Sequence, residues 1–386
     1  MKLIYISQGN IPSKWAHTFQ AMKMADALAA QVESLTLVTS RGFLSSGRNG
    51  IDCREWYGVS NRFKVVRLPV YWRVEEPFFT GWKLPRFDRA AALYGRIKSP
   101  DMVYTRSAFA GRCCVNLGLK TIIEFHMDVE RSELFHIEAV RHKTHLLGVV
   151  TITAALKDRY VQSGLPAEKI FVWPDAVDSA AFDRLPARMI VRRNLGLPQD
   201  AFIATYCGHF YRDRGIEEII ACARSLPTVH FMMIGGWDND RARCQEEARQ
   251  LSNVHFTGFV PNRRVPDYLK ASDVLLMPYA ASCETAPWMS PLKLFEYMAS
   301  GCPIVATDLP ALRIHLTHGR NAHLIAPGDA AALAAALKTI KASRDYARSL
   351  GQAARRDVSP YTWENRARAV MARFCNGSTD GQRVIP

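Results

Sequence analysis

Short apolar runs alternate with amphipathic stretches along nearly the whole of this 386-residue chain. That rhythm implies βα units around parallel sheets. In the first half, Leu3 to Ser7, Leu35 to Thr39, Lys64 to Leu68, Met102 to Thr105, Thr121 to Phe125 and Gly148 to Thr153 read as strands, and His17 to Ala30 as a helix. A turn-rich region from Trp173 to about Asp200 separates them from a second series. There Phe202 to Tyr206, His230 to Ile234, Val254 to Phe256, Val274 to Met277 and Pro303 to Ala306 read as strands. Helices at about 215–225, 238–251, 264–271, 291–300 and 330–341 alternate with them. A last helix opens at Thr362-Trp363-Glu364. The length alone favours two domains, and the expectation is an α/β chain of two doubly wound domains, each with its ligand-facing loops at the carboxyl ends of its strands.

Composition narrows the partners. Fifty Lys and Arg against 36 Asp and Glu give a net charge of +14, which favours nucleic acid, an acidic membrane surface or phosphorylated substrates, or simply keeps a basic protein soluble. No run approaches the roughly 18 apolar residues of a membrane span, and the N-terminus is polar too soon for a signal peptide. Nine scattered cysteines without a CxxC pair fit buried thiols in a reducing compartment, so a cytoplasmic protein without zinc is expected.

Two segments carry chemistry. Tyr206-Cys-Gly-His-Phe-Tyr-Arg-Asp-Arg-Gly215 ends a strand at Gly208 and starts a helix near Gly215. Glycine lets backbone approach a ligand, a helix N-terminus attracts an anion, and Arg212 and Arg214 add charged donors. The segment reads either as a diphosphate clamp or as a surface loop with incidental arginines. In Met289-Ser-Pro-Leu-Lys-Leu-Phe-Glu-Tyr-Met-Ala-Ser-Gly301, Ser290 suits an N-cap and Pro291 the first helical position. Lys293 and Glu296 share one face of an otherwise apolar helix. Either they bind ligand, the carboxylate accepting from ribose hydroxyls and the ammonium meeting a phosphate, or they pair with each other.

The order Gly208…Arg214-Gly215, Ile234-Gly-Gly236, Val254-His-Phe-Thr-Gly-Phe-Val260, Asp273-Val-Leu-Leu-Met-Pro278 and Ser290 to Gly301 resembles the donor domain of family-4 retaining glycosyltransferases with the GT-B fold. The first half is similar too, in Ile11 to Leu28, Glu124-Phe-His126, Ile152 to Lys157 and Trp173-Pro-Asp-Ala-Val-Asp178, so the resemblance spans most of residues 1–375. It implies two Rossmann-like domains facing across a cleft, with residues 1–180 on the acceptor side, 195–358 on the nucleotide-sugar side, and a helix at 360–375 crossing back to the N-terminal domain. It implies that Arg214 contacts the donor diphosphate, that His209 stands where many members have arginine, and that Glu296 is the second glutamate of the E-x7-E pattern and binds ribose. Lys293 precedes it in the SPLKLFEYMASG variant. His126 would face the donor sugar, Gly9 would lie close to the phosphates, and Gly208, Ser290, Pro291 and Leu292 complete the donor site. The catalytic set is then His126, Arg214 and Lys293. Trp288 occupies the position of the first glutamate, and the nearest upstream acid is Glu284. Backbone amides at Met289 to Leu292 are the alternative holders of the sugar.

The implied partners are a nucleotide diphosphate sugar and a glycan or lipid-linked acceptor, with retention at the anomeric carbon and no nucleic acid. No metal or other cofactor is expected, since the donor domain lacks a DxD-like pair and cations stand in its place. A lone histidine after a strand is also commonly structural, and Asp128 and Arg131 are the groups near His126 in sequence that would orient or protonate it. Arg106 and Arg112 read as clamp residues or, preferably, as plain surface. From Tyr71 to Lys98, Trp72, Phe78, Phe79, Trp82 and Phe87 stand beside Arg73, Lys83, Arg86, Arg89, Arg96 and Lys98. This pattern fits peripheral docking on an anionic membrane face, or aromatics closing a core. Two other readings remain: a dinucleotide-dependent oxidoreductase, which lacks its GxGxxG, and a non-catalytic partner subunit, which Trp288 keeps open.

Overall fold

The structure, a computed structural model, describes residues 1–42, 52–60, 62–72, 84–128 and 131–375. The chain divides into two compact units. Unit 1 is formed by Met1–Pro174 and the C-terminal segment from Trp363, unit 2 by Asp175–Thr362. The changeover falls at Pro174, a few residues before the expected limit at 180.

Unit 1 holds seven strands: β1 (Lys2–Asn10), β2 (Ser34–Gly42), β3 (Lys64–Trp72), β4 (Met102–Thr105), β5 (Thr121–Phe125), β6 (Leu146–Thr151) and β7 (Ile170–Val172). Their order is β3-β2-β1-β4-β5-β6-β7, and every neighbouring pair is parallel. Unit 2 holds β8 (Phe202–Gly208), β9 (Val229–Gly235), β10 (Val254–Gly258), β11 (Val274–Met277), β12 (Ile304–Thr307) and β13 (His323–Ile325), in the order β10-β9-β8-β11-β12-β13, again all parallel. Sheets covered by helices on both faces need strands that are apolar throughout. Accordingly β4, β5, β11 and β12 are buried at every position. The strand order reverses at β1/β4 and at β8/β11, the places where such sheets open a crevice for ligand.

The structure adds β7 and β13, three residues each, too short to stand out in the sequence. Helices Ser179–Asp183 and Arg188–Asn194 fill the stretch that reads as turns. The second is anchored by Arg192, which donates to Ala271 O (2.8 Å), Gln199 O and Ala201 O (2.9 Å each) and the Asp273 carboxylate (2.6 Å). Helix Arg344–Asp357 is a further addition.

The final helix, Trp363–Cys375, belongs to unit 1. There Arg366 is fully buried and pairs with Glu124 of β5. Phe374 lies where a Cβ on Gly148 of β6 would meet its ring at 2.3 Å.

Phe87 departs from the membrane-docking pattern: it is fully buried and packs with Ile4, Ile6 and Val103. Its neighbour Asp88 is buried as well. The Asp88 carboxyl meets Gln8 Nε2 (3.0 and 2.8 Å) and Ser107 Oγ (3.1 Å). Burial pushes it up to about 7, against the pull of those hydrogen bonds. Between about pH 4 and pH 7 the folded chain therefore keeps a proton that the unfolded chain has lost, and stability falls as pH rises through that window. Asp88→Asn should remove this slope. Urea unfolding from pH 4.5 to 8 should show the variant gaining on the parent by about 2–4 kcal/mol across the window; a constant difference would refute the assignment.

Candidate functional site

At the carboxyl end of β8, Gly208 adopts φ +144°, and a Cβ there would stand 2.3 Å from Lys293 Nζ. The missing side chain is what lets the ammonium lie against the strand end. Gly208 O accepts from Gly236 N at 2.9 Å, tying this loop to the end of β9. Gly215, at φ +73°, opens the helix Ile216–Ser225. A Cβ on it would lie 1.8 Å from Pro278 O, just past β11. Both glycines thus serve close approach at the β8/β11 reversal point.

Lys293 sits on the first turn of the helix Leu292–Ser300. Its Nζ donates to Tyr206 Oη at 2.9 Å and lies 4.1 Å from the Tyr206 ring centre and 5.3 Å from that of Tyr279. Tyr206 Oη donates onward to His209 O at 2.7 Å. Burial brings the Lys293 ammonium down to about 7; Cys207 and Glu296 oppose that shift and Arg214 adds to it. Glu296, one turn on, is half-buried. Its charge acts on both Lys293 and Cys207. Tyr297 fastens the helix to the sheet, accepting from Cys207 N at 2.8 Å and donating to Leu276 O at 3.3 Å.

Arg214 closes the cluster. It packs 4.8 Å over the Tyr279 ring, donates to Cys283 Sγ at 2.7 Å and lies 3.5 Å from Asp213. Burial works against its charge, while Tyr279, Cys283 and Asp213 favour it and leave it raised. His209 is stacked between Trp237 (5.3 Å, 11°) and Tyr211 (5.1 Å, 22°). Burial, with Lys293 and Arg214 nearby, takes its imidazole down to about 4, so at neutral pH it is uncharged where an arginine would be cationic.

The start of the helix Leu292–Ser300 differs from the expectation. Ser290 does not cap the helix: Pro291 is the N-cap, with no side-chain bond, and Ser290 Oγ accepts from Asp175 N at 3.0 Å. The helix accordingly begins at Leu292, with Pro291 just outside it. Trp288 is buried, so an apolar group takes the expected acidic position, and Glu284 is exposed. Lys293 bonds to Tyr206 rather than to Glu296.

Unit 1 carries a second cluster at its own reversal point. Gly9, at φ +109° near the end of β1, would place a Cβ 2.8 Å from His17 Nε2. Burial first, then Arg106 and His126, lower His17 to about 4. Arg106 is no plain surface residue: it donates to Gln20 Oε1 (2.7 Å) and His17 O (3.2 Å). Gln20 Nε2 donates to Glu124 Oε1 at 2.8 Å, and His126 Nε2 also meets that oxygen. Asp128 instead pairs with Arg159, which corrects its expected part in orienting His126.

The structure thus gathers Gly208, His209, Arg214, Lys293 and Glu296 in unit 2, with Ser290, Pro291 and Leu292 leading into the helix, and Gly9 and His126 in unit 1. Sequence reasoning passed over Tyr206, Trp237 and Tyr279, which look like core aromatics, and the parts of His17 and Gln20, which only the fold brings together. Among the described residues, no three His, Cys, Asp or Glu side chains gather as they would around a metal.

Residues 201–342 match the family model for glycosyl transferases group 1. The chain is 26% identical over 172 residues to an alpha-galactosylglucosyldiacylglycerol synthase of Streptococcus pneumoniae, a match covering 40% of this chain and 46% of that protein. The chain therefore spans less than half the length of that relative. Among solved structures it is similar to sucrose-phosphate synthase from Thermosynechococcus elongatus (TM-score 0.76, 20% identity, 97% of this chain and 99% of that one). It is also similar to Anabaena Alr3699/HepE in complex with UDP and glucose (TM-score 0.74, 16% identity, 98% and 100%). These likenesses give the chain the GT-B class of fold, with its two parallel α/β sheets.

The two glycines separate steric kinds. Gly215→Ala drives a Cβ into backbone that cannot swing away and should cost about 3 kcal/mol. Gly208→Ala meets the flexible end of Lys293 but also strains the backbone at φ +144°, and should cost about 2 kcal/mol. Chemical denaturation giving the reverse order would contradict this geometry.

Proposed function

We propose that this chain is a glycosyltransferase that moves a sugar from a nucleoside diphosphate sugar to an acceptor, with retention and without a metal ion. The carrying observation is the cationic pair Lys293 and Arg214, half-buried on tyrosine faces at the β8/β11 reversal point. The group 1 family match over residues 201–342 and the UDP complex of a structural neighbour support the same reading. Cleaving the bond between the anomeric carbon and the diphosphate develops negative charge on the departing phosphate. Fixed cations and helix amides stabilise that charge where water is excluded. In this reading Arg214 and Lys293 hold the diphosphate, and the N–H groups of Ser290 and Leu292 and the strand end at Gly208 lie along the donor. Glu296 accepts from two ribose hydroxyls, Gly9 gives the phosphates room, and His126 acts on the sugar. The leaving phosphate takes the acceptor's proton, so no separate base is required.

Lys293 gives the reading a proton signature. With its ammonium near 7 in the unliganded protein, an incoming diphosphate favours the charged form. Binding should then take up about one proton near pH 8. Titration of UDP or GDP calorimetrically in two buffers of different ionisation enthalpy reads this directly. Lys293→Met should abolish the uptake, Glu296→Ala should weaken nucleotide affinity, and turnover of the best donor from a panel of nucleotide sugars should survive EDTA. Failure of both nucleotides to bind, with NAD raising the melting temperature instead, would favour an oxidoreductase. No stabilisation by any of them would favour a non-catalytic partner subunit, the reading that buried Trp288 keeps open.

The acceptor is proposed to be a glycan or lipid-linked sugar reached at an anionic membrane surface. Of the stretch from Tyr71 to Lys98, Arg73, Phe78, Phe79, Trp82 and Lys83 lie outside the described residues, as does the side chain of Trp72. The helix Leu84–Lys98 exposes Leu93 and Ile97 beside Arg86, Arg89, Arg96 and Lys98, a basic and apolar pairing suited to the headgroup boundary. No described helix is long and apolar enough to cross a membrane. Vesicles with acidic lipid should pellet the protein at low salt, and Leu93→Ser with Arg96→Glu should weaken that. Equal recovery in the supernatant with acidic and neutral vesicles would point to a soluble acceptor.

A further inference from the structure

We infer that Glu124 is the positioning residue for His126. Its carboxylate holds the imidazole in the Nε2-protonated tautomer and faces the imidazolium when Nδ1 takes up a proton, while Arg366 of the final helix locks that carboxylate in place. The catalytic consequence rests on the proposed transferase reading; the tautomer does not.

Glu124 is almost wholly buried on β5. Its Oε1 meets Gln20 Nε2 (2.8 Å), Arg366 Nη2 (3.0 Å) and His126 Nε2, and its Oε2 meets Arg366 Nη1 (3.2 Å) and the Tyr104 hydroxyl. Burial alone would raise its pKa, yet Arg366 and His126 bring it down to about 2. An ionised carboxylate only accepts hydrogen bonds, so the proton between it and His126 belongs on Nε2. Gln20 cannot reverse its amide and take over that role, because its Oε1 accepts from Arg106 Nη1 at 2.7 Å. Every neighbour of the carboxylate is thereby committed as a donor.

Arg366 is committed as well. Besides the two bonds to Glu124, its Nε donates to Pro174 O at 2.9 Å. The guanidinium is fully buried and reaches the histidine only through the carboxylate. His17, on the helix Ala16–Ala29, is close enough to feel the charge of both His126 and Arg106. Burial lowers His17 and keeps it neutral at pH 7, and the carboxylate of Glu124, in direct contact with Nε2, opposes a positive charge on the imidazole. A carboxylate behind an imidazole fixes its tautomer and stabilises its protonated form. No proton moves to Glu124 in this arrangement; Nδ1 is the atom that solvent protonates as the pH falls.

The test uses the full chain and three variants: Glu124→Gln, Arg366→Met, and the two together. The double variant removes both buried charges and keeps the experiment usable where a single change fails to fold. Long-range ¹H–¹⁵N NMR, with His126 identified by loss of its signals in His126→Asn, should show neutral His126 protonated at Nε2 in the parent. It should show a mixture of tautomers in the double variant. This arm needs no turnover, so it still decides the inference if the transferase reading fails. With an active donor, Glu124→Gln and the double variant should lower kcat about 10–100-fold while KM for the donor stays within about twofold. The acidic limb of the kcat profile should move to lower pH, because the imidazolium has lost its counter-charge. Restored thermal stability in the double variant without restored kcat separates positioning from simple structural support. Neutral His126 protonated at Nδ1 in the parent, or a double variant with the parental tautomer and pH limb, would overturn the inference.

Discussion

Two charges that are almost wholly sealed from solvent, Glu124 and Arg366, settle much of how unit 1 is assembled. Moving either alone out of water costs several kcal/mol, and only close, two-point pairing with further hydrogen bonds offsets it. The pair meets that demand with contacts of 3.0 and 3.2 Å and with the Tyr104 and Gln20 donors on the carboxylate. Since Arg366 stands near the end of the chain and Glu124 on a central strand, the final helix has one low-energy resting place. That place is beside the helix Ala16–Ala29, where Arg366 Nη1 also lies 3.4 Å from Met24 Sδ. Loss of one partner would leave the other charged and buried, a penalty of about 3–5 kcal/mol.

Unit 2 handles its charges differently. Lys293 rests on a tyrosine hydroxyl and two rings, and Arg214 on a ring, a thiol and a looser contact to Asp213. Rings and neutral acceptors steady a cation without neutralising it. The remaining stabilisation is then available to an anion that arrives. The lowered ammonium of Lys293 and the uncharged His209 are both consequences of burying several nitrogen groups together with little acid among them.

Much of this was legible in the sequence because buried parallel strands are mostly apolar. β4, β5 and β11 begin and end at the residues the sequence predicts. The three-residue β7 and β13 were not legible, since so short a run does not differ from a turn with two aliphatic residues. Local chemistry misled at Ser290, a good cap by type that is used instead to hold the backbone of Asp175. It misled at Phe87 as well, whose flanking arginines suggested a surface. Lys293, Glu296 and Arg214 could be named because spacing places them at strand-to-helix junctions. The partner of Glu124 could not: Arg366 lies 242 positions away, and no periodicity links the two.

Both sheets reverse their order at a central pair, and a candidate glycine stands near the carboxyl end of one strand of each pair. Gly9 and Gly208, each at positive φ, mark the equivalent strand ends. The architecture is the same, and the electrostatics are opposite. In unit 1 the anion Glu124 sits behind the histidine and is saturated by donors, so the charge is spent on orientation within the protein. In unit 2 the cations stand on aromatic faces with that stabilisation incomplete. Repeating one strand order therefore does not repeat one electrostatic environment. What differs is which sign of charge is buried and how fully it is matched.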